Sequence, residues 1–162
     1  MKKILFICTG NTCRSSMAEG LFKKLLTEYG IDNIEASSAG TSVFFPSCAS
    51  DHAIKIMRDQ GIDLSTHQSK QVTKEMVEKA NLIFTMTVNH RENVIRLCPQ
   101  AADRVFTLKE FANEAENNNA LDIGDPFGLP EEYYEECARE IYSFLEKMLE
   151  KLMRDYEEWK LK

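Results

Sequence analysis

The chain has 162 residues, 43% of them hydrophobic, enough apolar material for one buried core and one globular domain over residues 1–162. A net charge of -6 excludes general attraction to nucleic acid or anionic lipid and confines any anion binding to a local pocket. No apolar run nears the roughly 20 residues that cross a bilayer, and LFI after MKK is too short for a signal-peptide core, so a cytoplasmic protein without a membrane partner is expected.

In chain order, KKILFI has the β-branched and aromatic character of a buried parallel strand. SMAEGLFKKLLTEYG follows with helical spacing through Met17, Leu21, Leu25 and Leu26, and Gly30 stops it. The intervening CTGNTCRS is therefore a strand-to-helix turn. NIEASSAGT is a second strand. A helix is expected from Ala49 to Gln60, with Ala53, Ile54 and Met57 apolar and Gly61 at its end. TKEMVEKA predicts a short helix feeding the strand NLIFTM; VNHRENVIRLC resumes helical spacing, and Pro99 is placed to end it. RVFTL supplies a fourth strand. The polar stretch NEAENNNALDIGDPFGLP, in which the triple Asn at 117–119 is expected to be an exposed loop, precedes a long helix from about Glu131. Its apolar stripe runs through Ala138, Ile141, Leu145, Met148 and Leu152.

Strands alternating with helices imply an α/β fold, a parallel sheet covered on both faces. Ligands of such sheets bind outside the carboxyl ends of the strands at a topological switch point. Cys8 lies at the carboxyl end of the first strand.

The five cysteines, at 8, 13, 48, 98 and 137, are odd in number and scattered, which fits reduced thiols better than a disulfide framework. Zinc is not expected: Cys8 and Cys13 could form half of a structural site, but His52, His67 and His90 are widely separated and none makes a doublet with a cysteine. No GxxxxGK[ST] loop occurs, since Gly10 is followed by no Gly-Lys pair.

Phosphate chemistry by a thiolate is what remains. Backbone N–H groups of a loop opening onto a helix N-terminus form a concavity that attracts an anion. Residues Thr9, Gly10, Asn11, Thr12, Cys13, Arg14 and Ser15 would line it, with Cys8 beneath. The Arg14 guanidinium offers a planar fork for two phosphate oxygens. Such surroundings lower a thiol's pKa below its usual value of about 8.5. The alternative, a buried cysteine near a surface arginine, leaves the glycine, the strand-to-helix context and the Arg-Ser pair unexplained.

CTGNTCRS followed by MAE closely resembles the signature of the low-molecular-weight protein tyrosine phosphatases, and DPFG at Asp125–Gly128 resembles that family's acid loop. SSAGT, the QVTKE stretch after His67 and the FTM of the third strand extend the resemblance over nearly the whole chain. It implies a three-layer αβα fold with a four-stranded parallel sheet, no metal or organic cofactor, phosphorylated proteins as substrates of a monomer, and a phosphocysteine intermediate. By the same resemblance Cys8 is the nucleophile, Arg14 the phosphate clamp and Asp125 the acid that protonates the leaving group. Ser15 matches the hydroxyl that hydrogen-bonds the thiolate, while Asn11, Ser38 and His67 match the network that holds the loop open. Cys13 matches a second loop cysteine able to trap an oxidised Cys8 as a disulfide; Cys48, Cys98 and Cys137 are expected to be packing thiols. Ser16 departs from the family's usual proline.

Thr12 bears on the substrate. Tyrosine-directed members commonly carry isoleucine there, whereas threonine together with DPFG resembles the bacterial protein arginine phosphatases. A phosphoarginine group is planar and rich in N–H donors; the Thr12 hydroxyl and the Asp125 carboxylate would meet those donors, and Phe127 would stack on the plane. Against this, Phe44 and Phe45 in TSVFFPSC lie near where tyrosine-type members carry aromatic residues flanking the substrate, so phosphotyrosine is the alternative. Arsenate reductases share the fold and loop but need two further closely spaced cysteines, and NLIFTMTVNHRENVIRLC supplies only Cys98. A non-catalytic phosphoprotein-binding module would not require Cys8, Arg14 and Asp125 together.

Overall fold

Alternation along the first strand decides how the layers form. In β1 (Lys2–Cys8), Ile4, Phe6 and Cys8 join one cluster of buried side chains, and Leu5 and Ile7 join another, as the two-residue period of a strand requires. The protein is described by a computed structural model covering residues 1–113 and 120–156. β1 pairs in parallel with β2 (Ile34–Gly40) on one side and with β3 (Leu82–Thr85) on the other. β4 (Val105–Thr107) lies parallel to β3, so the order is β2-β1-β3-β4. This is the expected α/β sheet.

Six α-helices flank it among the described residues: α1 (Arg14–Glu28), α2 (Asp51–Asp59), α3 (Lys74–Lys79), α4 (Val88–Leu97), α5 (Leu108–Asn113) and α6 (Glu131–Asp155). The larger core joins one sheet face to α1, α2, α5 and α6, and includes Met17, Leu21, Leu25, Leu145, Met148 and Leu152, all fully buried. The other face packs on α3 and α4 through Val77 and Val94. Both helical stripes face the sheet as their spacing requires.

Three local expectations change. The first helix begins at Arg14, before Ser16, because the loop already turns helical there; Ser16 Oγ donates to the Cys13 carbonyl at 3.0 Å. Leu108, expected in the fourth strand, instead opens α5, whose first turn is capped by Thr107 Oγ1 accepting from the Glu110 N–H at 3.1 Å. The sequence T-L-K-E carries that capping signal. Cys48 is exposed rather than packed, while Cys98 and Cys137 are buried. The triple Asn at 117–119 lies outside the described residues.

Because β2 and β3 flank β1 on opposite sides, the chain leaves the sheet in opposite directions there, and a crevice opens at the carboxyl end of β1. Cys8 ends β1 at that crevice.

Candidate active site

The loop from Cys8 to Arg14 is held in shape chiefly by Asn11. Its backbone is left-handed at φ 55°, a conformation that asparagine tolerates better than most residues, and its side chain is fully buried. Asn11 Nδ2 donates to Ser15 Oγ at 2.8 Å and to Ser38 Oγ at 2.9 Å, its Oδ1 accepts from the Lys70 N–H at 3.1 Å, and its carbonyl accepts from His67 Nε2 at 2.7 Å. Ser38 in turn donates to Glu19 Oε2 at 2.5 Å. Three segments, α1, β2 and the stretch from His67 to Lys70, thus converge on one asparagine, which keeps its strained backbone in place.

Gly40, at the end of β2, makes room for the loop. A Cβ there would stand 2.4 Å from the Thr9 carbonyl oxygen, which is far inside contact distance, so only glycine fits. The next two amides anchor the loop from the same side, Thr41 N–H to the Cys8 carbonyl at 2.9 Å and Ser42 N–H to the Thr9 carbonyl at 3.0 Å.

Cys8 Sγ lies beneath the loop, 2.9 Å from Ser15 Oγ and 3.3 Å from the Asn11 amide nitrogen that donates to it. Burial pushes its thiol up, while the Ser15 hydroxyl, the Arg14 charge and the Asn11 amide pull it down. The thiol was expected below its usual range; here desolvation prevails. The cation beside it is already shared: Arg14 donates through Nη1 to the Ile123 carbonyl at 2.9 Å and pairs through Nη2 with Asp125 Oδ2 at 3.1 Å. Of the opposing contacts, the Ser15 side chain is the strongest, so Ser15→Ala shifts the midpoint of Cys8 alkylation to higher pH. An iodoacetamide rate profile with an unmoved midpoint would remove Ser15 from thiolate stabilisation.

Arg14 is 4% exposed and its Nε is buried without a partner among the described residues. α1 starts with no side-chain cap and no acidic residue in its first turn, which leaves its positive end open toward the loop. Asp125 is half-exposed; its Oδ1 accepts from the Phe127 N–H at 3.2 Å in a turn that opens DPFG. A hollow of about 210 Å³ lies among these groups, lined by Cys8, Thr9, Gly10, Thr12, Cys13, Arg14, Asp125 and Phe127. The sequence candidates meet there, apart from Asn11, Ser15, Ser38 and His67, which support it from behind.

Phe127 is 70% exposed at the rim. Phe44 and Phe45 are also exposed and lie on the segment that Thr41 and Ser42 tie to the loop. Cys13 Sγ contacts Ser50 Oγ at 3.4 Å and the Tyr134 hydroxyl at 3.5 Å, and both loop cysteines are free thiols. Cys98 ends α4, whose other end faces the site; the helix carries it about 15 Å along.

In the sequence Glu19 and Gly40 stand only inside the resembling segments MAE and SSAGT, with no role attached, and nothing marks Lys70 or Ile123 as parts of this site. A glycine closing a strand and a carboxylate on a helix face have ordinary explanations, and their roles exist only through contacts between distant segments.

A sequence model of the family described as "Low molecular weight phosphotyrosine protein phosphatase" matches residues 3–158. The chain belongs to this family. Among relatives of the phosphatase is a protein named "Protein-arginine-phosphatase" from Geobacillus stearothermophilus, 37% identical over 153 residues that cover 94% of this chain and 97% of the relative. A solved YwlE arginine phosphatase, a mutant with a phosphorylated active site serine, superposes with a TM-score of 0.87 at 34% identity, covering 95% and 97% of the two chains. A low molecular weight protein tyrosine phosphatase from T. tengcongensis is equally similar, with a TM-score of 0.86 at 38% identity and coverage of 94% and 100%. Among the described residues, no helix of the phosphatase is long and apolar enough to cross a membrane.

Proposed function

We propose that this phosphatase removes the phosphoryl group from phosphoarginine residues of proteins, through a phosphocysteine intermediate. One observation carries the chemistry: the Cys8 sulfur lies at the base of a hollow whose walls include the Arg14 guanidinium and the Asp125 carboxyl. In the first step the Cys8 sulfur attacks phosphorus as the thiolate, the form that its burial disfavours, the P–N bond breaks, and Asp125, acting as the general acid, gives a proton to the departing guanidine nitrogen. Arg14 and the loop amides bear the charge on the equatorial oxygens. In the second step water attacks phosphorus, Asp125 takes the water's proton, and the P–S bond breaks to return the thiolate and release inorganic phosphate. The arginine phosphatase relative that carries a phosphorylated serine in its active site supports a covalent route.

For the substrate, the relatives named as arginine phosphatases support phosphoarginine, as does a wall made of Thr12, Asp125 and Phe127. A guanidinium plane finds oxygen acceptors on two sides and an aromatic ring at the rim. Phosphotyrosine is the second reading, favoured by the exposed Phe44 and Phe45 beside the loop. The deciding experiment compares kcat/KM for a phosphoarginine peptide and a phosphotyrosine peptide in the native protein and in Thr12→Ile. Wild type prefers phosphoarginine, and the substitution lowers that preference about tenfold, the worth of one hydrogen bond to a charged group. A native preference for phosphotyrosine would overturn the substrate assignment; an unchanged ratio would take Thr12 out of it.

The position of Cys98 supports hydrolysis over arsenate reduction, since a relay thiol has to reach Cys8. A thiol nucleophile persists where thiols stay reduced, which supports a cytoplasmic setting. All the groups used come from one chain, which supports action as a monomer.

A further inference from the structure

His90 is 3% exposed and lies in the first turn of α4, where Thr87 Oγ1 accepts from its backbone N–H at 3.1 Å. Its Nε2 is 2.8 Å from Thr9 Oγ1. Its Nδ1 is buried with no partner among the described residues. Thr9, next to the nucleophile, lines the phosphate hollow.

The orphaned Nδ1 decides the tautomer. With the proton on Nδ1, a buried N–H donor would go unsatisfied, a rare and costly arrangement. With the proton on Nε2, the ring donates to Thr9 Oγ1 and leaves Nδ1 as a bare acceptor. A hydroxyl has one proton of its own; when Oγ1 accepts from His90, that proton is free to point elsewhere, and the space beside Thr9 is the hollow.

We propose that His90 is a positioning residue for phosphoryl transfer: it donates Nε2–H to Thr9 Oγ1 and so turns the Thr9 hydroxyl proton toward the phosphoryl oxygens, adding a side-chain donor to the ring of loop amides. The inference rests on the phosphoryl-transfer reading of the site. A ring kept neutral serves this purpose, because the lone donor then has a fixed place. Burial and the nearby Arg14 charge push the His90 pKa down to about 4, against the opposite pull of Asp122 and Asp125, so the neutral form holds at working pH.

A double-mutant cycle tests the coupling. Thr9→Val removes the hydroxyl at nearly constant shape, and His90→Leu removes the ring donor. Each lowers kcat/KM by about 10- to 100-fold, the range for one hydrogen bond to a charged group, and His90→Leu costs less than twofold more once Thr9 is valine. Thr9→Ser, which keeps the hydroxyl, and His90→Gln, whose amide can donate from the same reach, recover most of the loss. A merely structural histidine would show its full cost in the Thr9→Val background and no recovery with glutamine, and either result overturns the proposal, as does full activity in Thr9→Val. The same cycle is read as inorganic phosphate affinity by calorimetry in the Cys8→Ser background. Coupling there upholds the role of His90 even if Cys8 proves not to be the nucleophile. Additive losses there sink it even if Cys8 is.

Discussion

Cys8→Ser lowers turnover of phosphorylated substrates by about 10⁴-fold or more, a rise of about 5 kcal/mol in the barrier. The reason is chemical rather than steric. A serine oxygen fits beneath the loop and keeps hydrogen-bond partners in Ser15 and the Asn11 amide, which lie 2.9 and 3.3 Å from the sulfur. Yet it ionises far less readily than a thiol, and no histidine contacts Cys8 among the described residues to take its proton; His67 and His90 are committed to Asn11 and Thr9. Single-turnover kinetics on the wild type, quenched in denaturant, should reveal phosphate bound to Cys8. Near-native turnover in Cys8→Ser would mean that water attacks directly and that the thiol only fills space.

Arg14→Lys lowers kcat/KM by about 10² to 10³-fold, the cost of removing a preorganised donor from a developing oxyanion, and weakens inhibition by inorganic phosphate in parallel. Arg14 holds the Ile123 carbonyl and the Asp125 carboxylate at once and has a further buried N–H without a partner. One planar group thus fixes the acid loop and presents a donor inside the site. Lysine keeps the charge but has a single nitrogen, which cannot span both partners and face a phosphate. Thermal melts alongside the kinetics separate loosening of the Asp125 loop from lost catalysis. Activity within threefold of wild type would show that charge alone suffices and that the fork geometry contributes nothing.

The two predictions depend on different kinds of information. That Cys8 ends a buried strand and Arg14 opens a helix was legible in the sequence, because strand and helix periodicities are local and the loop between them is short. The apolar stripe of the final helix was legible for the same reason. At Leu108 a local capping signal from Thr107 and Glu110 outweighs the strand character of the segment, and at Cys48 no local signal exists, since its exposure depends on what the chain leaves uncovered.

The sequence by itself determined the alternation of strands and helices and the loop chemistry, since each resides in residues close together along the chain; the pairing of that loop with the distant DPFG rested on the family resemblance alone. Only the tertiary structure decided that Gly40 lets the loop pass, that Asn11 ties it to Ser38, His67 and Lys70, that Arg14 is shared with Asp125, and that His90 meets Thr9 across 81 positions. It also decided the state of the Cys8 thiol. Burial is a sum over everything packed around an atom, and here that sum outweighs the hydrogen bonds and the single cation visible in the motif.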